Sequence, residues 1–126
     1  MSKALKISEA EWRVCQALWR HSPQTANEIV AKLTDKTNWN PRTVKTLLNR
    51  LTKKQVLRYE THGREYLYFP RLGEEECVLA QTRSFVKRVF DGAAGTMVAT
   101  FLRSQQLSTQ EIAELKKILK KKTGKS

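Results

Sequence analysis

Apolar positions in the first half of the chain recur at helical spacing in three blocks, and the pattern then changes. Ser8-Glu9-Ala10-Glu11 has the form of a capping box, and Trp12, Cys15, Leu18 and Trp19 follow on one helical face, which predicts a helix ending near Arg20. Ser22-Pro23 interrupts the pattern. Thr25-Ala26-Asn27-Glu28 supplies a second capping box ahead of Ala26, Ile29, Val30 and Leu33. After a polar loop from Thr34 to Trp39, Asn40 is placed to cap a third helix with Pro41 at its first position, where the missing N–H does little harm. Its apolar stripe is Val44, Leu47, Leu48 and Leu51. From Val56 to Phe69 the chain turns to short runs containing Val, Tyr and Leu, divided by His62-Gly63 and ended by Pro70, the pattern of a β-hairpin. Three helices followed by a hairpin predict a mainly α-helical winged helix-turn-helix over residues 1–72, with the third helix as reader and the hairpin tip as wing.

The remainder reads as helical. Glu74 to Phe90 carries Val78, Phe85, Val86, Val89 and Phe90 largely along one side, with Asp91-Gly92 as a stop. Met97, Val98, Phe101 and Leu102 mark a shorter amphipathic piece. Ser108-Thr109-Gln110-Glu111 is a third capping box, with Leu107 and Ile112 placed as a hydrophobic staple before Leu115, Ile118 and Leu119. The lysines between Lys116 and Lys122 suit the negative end of that helix. Short amphipathic helices of this kind can hardly bury their stripes alone, so residues 73–126 are expected to form a helical dimerisation module. Its candidate contacts are Val78, Phe85, Val89, Met97, Phe101, Ile112, Leu115 and Leu119.

Charge sharpens the picture. The 126 residues include 24 Lys and Arg against 12 Asp and Glu, a net charge of +12, which points to a polyanionic partner, nucleic acid or an acidic membrane surface. At 100° per residue the third helix sorts into two faces: Val44, Leu47, Leu48 and Leu51 on one, and Arg42, Lys45, Thr46, Asn49 and Lys53 on the other, with Thr43 and Arg50 at its margin. Long basic side chains reach phosphates or guanine acceptors, while Thr and Asn meet base edges or the thymine methyl. An ordinary solvated helix intersperses both signs, yet between Lys36 and Tyr59 there are seven basic residues and no acidic one. Double-stranded DNA is therefore the expected partner. Arg58, His62 and Arg64 surround the hairpin and are placed for backbone or minor-groove contact, His62 being equally well read as turn chemistry.

Other chemistry finds little support. Trp12, Trp19 and Trp39 read as core rather than ligand-binding aromatics. Cys15 reads as a small core residue, and Cys77, beside Glu74 to Glu76, makes no metal site on its own. With no glycine-rich phosphate loop, no histidine pair at ligand spacing and no evident Ser/His/Asp grouping, no enzyme activity, cofactor, metal or small-molecule substrate is expected. Neither a signal peptide nor a membrane span is evident, so a soluble protein of the reducing cytoplasm is expected.

Three strings then carry a resemblance: Ile7 to Trp12, Thr25 to Ile29, and Trp39-Asn40-Pro41-Arg42-Thr43-Val44-Lys45-Thr46-Leu47-Leu48-Asn49-Arg50-Leu51. The chain resembles the penicillinase repressors of the BlaI/MecI/CopY family over nearly its whole length. The resemblance implies a homodimer that binds a palindromic operator and shuts off β-lactamase or related resistance genes. It implies base reading by Arg42, Thr43, Lys45, Thr46 and Arg50, which largely coincide with the basic face. It also implies relief of repression by a membrane sensor-protease that cuts between Asn and Phe, and the matching pair here is Thr100-Phe101, with Thr in place of Asn. The copper-responsive branch carries paired Cys-x-Cys motifs near its C-terminus, and this chain ends in a lysine-rich segment without cysteine. Two alternatives stay open at this point: a sequence-independent architectural DNA binder, and a repressor of the same family that answers another signal such as metal stress.

Overall fold

The computed structural model describes residues 5–124. Three helices open the chain: α1 (Glu9–Arg20), α2 (Ala26–Lys36) and α3 (Pro41–Lys53), with α2 running past Thr34, where a loop was expected, because the Thr34 hydroxyl donates to the Val30 carbonyl and stays within the helix. The first two start at the expected capping boxes, in which Ser8 and Glu11, then Thr25 and Glu28, exchange side-chain to backbone hydrogen bonds. These satisfy N–H groups that a helix start would otherwise leave without partners. Asn40 caps α3 and Pro41 stands in its first turn.

Between α1 and α2 lies β1 (Gln24–Thr25), which the apolar pattern did not announce because two residues carry no alternation. The hairpin strands are β2 (Leu57–His62) and β3 (Glu65–Pro70), and the antiparallel sheet has the order β1-β3-β2. Gln24 pairs with Tyr68, and Tyr59 pairs with Tyr68 from the other side. Thr25 thus serves both as a strand residue and as the cap of α2, which ties the helical layer to the wing.

The core lies where these elements meet. Val14, Cys15 and Leu18 of α1, Ile29 and Leu33 of α2, Val44, Leu47, Leu48 and Leu51 of α3, and Val56, Leu57 and Tyr68 of the hairpin region are all buried in one cluster. Trp12, Trp19 and Trp39 pack partly buried against it, with the Trp12 and Trp19 rings edge to face at 5.1 Å. Trp19 Nε1 donates to the Leu72 carbonyl at 3.0 Å and so pins the chain as it leaves the hairpin. Cys77 is wholly buried in the same cluster, and both thiols are free. Burial, then the neighbouring Cys77, pushes the Cys15 thiol up to about 12, so it behaves as a small apolar residue.

One polar contact fastens α3 to α1. Lys54, the C-cap of α3, places Nζ 2.7 and 2.9 Å from the two oxygens of Glu11 and donates also to the Lys6 carbonyl at 2.7 Å. Glu11 is only 2% exposed and accepts from the Ser8 N–H at 2.7 Å. Burial alone would raise its pKa, but the hydrogen bonds from Lys54 and Ser8 and the lysine charge outweigh it, and the carboxyl is held below its ordinary 4.5.

Three further helices follow: α4 (Glu74–Phe90), α5 (Ala94–Ser104) and α6 (Thr109–Lys122). The chain divides into two compact units, one reaching Ser84 and the other spanning Phe85–Ser126. The division lies inside α4, beyond the change of pattern at residue 72. On α4, Val86 is buried while Phe85 and Val89 remain exposed, so only part of its apolar side is covered within the chain. Neither α5 nor α6 buries a residue fully.

The Glu11–Lys54 contact makes a defined prediction. Replacing Lys54→Met leaves a buried carboxylate short of its main partner and lowers folding stability by about 1–3 kcal/mol. Because the folded-state pKa of Glu11 is depressed, its stabilisation is present above the ordinary glutamate value and is lost as pH falls through the folded pKa. Denaturant titrations between neutral pH and the acid range should show this loss in the parent chain and less of it in the variant; equal stability of the two at neutral pH would contradict the assignment.

Candidate nucleic-acid interface

With Val44, Leu47, Leu48 and Leu51 buried, the remaining residues of α3 are forced outward. Arg42, Lys45, Thr46, Asn49, Arg50 and Lys53 are exposed and Thr43 is half-buried. The two salt bridges among the described residues are Lys54–Glu11 and Arg58–Glu60, and neither uses a cation of this face. The first turn of α3 contains no acid. Pro41 has no N–H and Asn40 takes that of Thr43, but the positive end of the helix dipole still adds to the basic side chains instead of being offset, which favours an anion there.

The two threonines have restricted chemistry. Asn40 Oδ1 accepts from the Thr43 N–H at 2.9 Å and from Thr43 Oγ1 at 3.2 Å, and Thr46 Oγ1 donates to the Arg42 carbonyl at 2.9 Å. Both hydroxyl protons are engaged. Each threonine is left to offer a methyl and oxygen lone pairs, which suits the thymine methyl or a base amino group.

At the wing, β2 and β3 are joined by a two-residue turn, Gly63-Arg64, with Gly63 at φ +66°. That conformation disfavours a side chain and explains the glycine. Arg64 and His62 are exposed at this tip. Arg58 lies elsewhere on the sheet. Its guanidinium sits 4.1 Å from the Phe69 ring centroid and 2.7 Å from Glu60, so its charge is already engaged. Of the acid-free basic run, Lys54 is thus structural, Arg58 is paired at the surface, and the free charge concentrates on α3.

Two tyrosines were not singled out by sequence. Tyr59 and Tyr66 stack at 4.3 Å and remain 43% and 46% exposed on the wing. The register pairs Tyr66 with Thr61, so the stacked pair is a diagonal neighbour, visible only once the register is known. Among the described residues no group of His, Cys, Asp and Glu is arranged to hold a metal.

The chain matches the penicillinase repressor family over residues 7–121. It belongs to that family. Membership makes it a regulator of the repressor type rather than an enzyme. It is 38% identical to the penicillinase repressor of Bacillus licheniformis across 94% of this chain and 93% of that one. It is 31% identical to the methicillin resistance regulatory protein MecI of Staphylococcus aureus (strain N315), across 96% of this chain and 98% of the relative. Among solved structures, the DNA-binding domain of the repressor BlaI superposes with a TM-score of 0.55 at 37% identity, covering 60% of this chain and 93% of that one. The Bacillus licheniformis BlaI monomeric form in complex with the blaP half-operator superposes with a TM-score of 0.52, with the same identity and coverage. The winged helix-turn-helix expected from the pattern is the fold of this repressor-family chain.

Proposed function

We propose that this chain is a homodimeric, sequence-specific repressor that occupies a palindromic operator controlling β-lactamase or related resistance genes. The observation that carries the reading is the outward face of α3, basic, free of acid and not ion-paired among the described residues, in a member of a repressor family. In this reading α3 enters the major groove. Arg42, Lys45 and Arg50 reach guanine acceptors or phosphates, Thr43, Thr46 and Asn49 meet base edges, and Lys53 and the wing-tip Arg64 hold the backbone. That a BlaI monomeric form is solved with a half-operator suits one protomer per half-site.

The C-terminal unit supplies the second protomer. Phe101 and Leu119 are more than half exposed, and an apolar groove of about 600 Å³ opens between α5 and α6, lined by Met97, Phe101, Leu102, Leu107 and Leu115 among others. Apolar surface of this extent is what a partner helix would cover. Phe85, Val89 and Ile112 are exposed as well, as is Val78 on the part of α4 that belongs to the first unit. Linking two readers then raises operator affinity through effective concentration without any new base contact.

Relief of repression follows from cutting the same unit. Thr100-Phe101 lies in α5, which has no side-chain cap at its N-terminus and no fully buried residue. Little holds that helix shut against the local unwinding that a protease requires. The cut is assigned to a membrane sensor-protease acting on a cytoplasmic repressor; no helix among the described residues is long and apolar enough to cross a membrane.

Two measurements test this. With a duplex carrying an inverted repeat, selected from a random pool by the parent chain, Thr46→Ala or Lys45→Ala should lower preference over a scrambled duplex by about 1–3 kcal/mol, while Lys53→Ala weakens both duplexes alike. Equal losses on both duplexes from every substitution would remove the readout claim. A chain ending at Thr100 should keep a folded winged helix and bind the inverted repeat far more weakly than the full chain. Undiminished affinity of the shortened chain would sink the mechanism of induction.

A further inference from the structure

The reading domain does not hold all the charge. Nine of the 24 basic residues and only three of the 12 acidic ones follow Ser84, so the C-terminal unit carries +6, half the net charge of the chain in one third of its length. Dimerisation gains nothing from this. Two +6 units brought together repel each other, so a module that served only to join protomers would do better near neutrality.

The charge is also arranged. At 100° per residue, Lys116, Lys120, Lys117 and Lys121 fall within about 140° of arc on the side of α6 opposite Leu115, Ile118 and Leu119. All four lysines are exposed, and neither salt bridge among the described residues involves them. The acids of α6 lie in its first half, where Glu111 closes the capping box with Ser108. Compensation of the helix dipole accounts for Lys120 to Lys122 in the last turn. It does not account for Lys116 and Lys117, since that effect fades beyond one turn.

We propose that the lysine face of α6 is a second DNA-contacting surface, which grips phosphates and reads no bases. This rests on the reading of the chain as a DNA-binding repressor. A polyanion is the partner that makes a like-charged dimer module favourable, because each neutralised phosphate releases condensed counterions. Duplex DNA fits better than an anionic bilayer. A cationic amphipathic helix holds a membrane by inserting its apolar side, and that side is the one assigned to the partner protomer, whereas a phosphate backbone asks only for the charged side.

The test uses the full chain with Lys116→Gln, Lys117→Gln, Lys120→Gln and Lys121→Gln combined, beside the same four positions changed to Arg. Glutamine keeps helix propensity close to that of lysine. Affinities are measured against salt for the selected inverted-repeat duplex and its scrambled form, with sedimentation reporting the dimer and vesicles of phosphatidylglycerol as a second probe. The glutamine variant should flatten the slope of log affinity against log salt by about 2–4 and weaken both duplexes by about tenfold or more, leaving their ratio, the dimer and the behaviour of the arginine variant unchanged. An unchanged slope and affinity would overturn the proposal, as would a loss that the arginine variant shares or one seen only on vesicles. If the parent chain itself showed no preference for the inverted repeat, the repressor reading would fail, and the salt slope would still decide whether α6 holds phosphate.

Discussion

Burial of one aliphatic stripe fixes what the rest of the molecule can do. Val44, Leu47, Leu48 and Leu51 insert between α1, α2 and the hairpin, and each such side chain contributes about 1.5–3 kcal/mol when removed from water. No other rotation of α3 buries these four together. The rotation that buries them turns Arg42, Lys45, Asn49 and Lys53 to solvent, so the composition of the outer face is a consequence of packing and not an independent choice. Electrostatics then acts on a helix whose orientation the core has already set.

Charges divide into those that hold the fold and those left free. Lys54 pairs with the nearly buried Glu11, where low exposure makes the contact strong and its loss costly. Arg58 stacks on Phe69 and meets an exposed Glu60, a contact that solvent screens and that contributes little. Among the described residues no acid pairs with the cations on the outer face of α3. That imbalance raises local positive potential at a helix start already positive by its dipole, and it is the physical basis for proposing a phosphate-rich partner.

Much of this was legible in the residues, for reasons that can be named. The capping boxes at Ser8, Thr25 and Ser108 are local chemistry, and all three form where the spacing placed them. The two faces of α3 follow from helical period alone. The strand β1 was not legible, since two residues carry no period and its partner Tyr68 lies far along the chain. Nor was the Glu11–Lys54 contact, which depends on two helices meeting across the core. In α4 the apolar residues fall largely along one side, within about 140° of arc, yet of Phe85, Val86 and Val89 only Val86 is buried. Sequence period identified amphipathic character there without fixing which apolar residues find a partner within the chain.

The central claim is that the outer face of α3 reads DNA bases, and the most direct test is to observe the contact. The isotope-labelled chain would be titrated with the selected inverted-repeat duplex and with its scrambled form, following amide shifts and protein–DNA nuclear Overhauser contacts. The inverted repeat should produce contacts from Arg42, Lys45, Thr46 and Asn49 to major-groove base protons, which the scrambled duplex does not. Shifts confined to α6 and the wing, the same on both duplexes and without base contacts from α3, would contradict it.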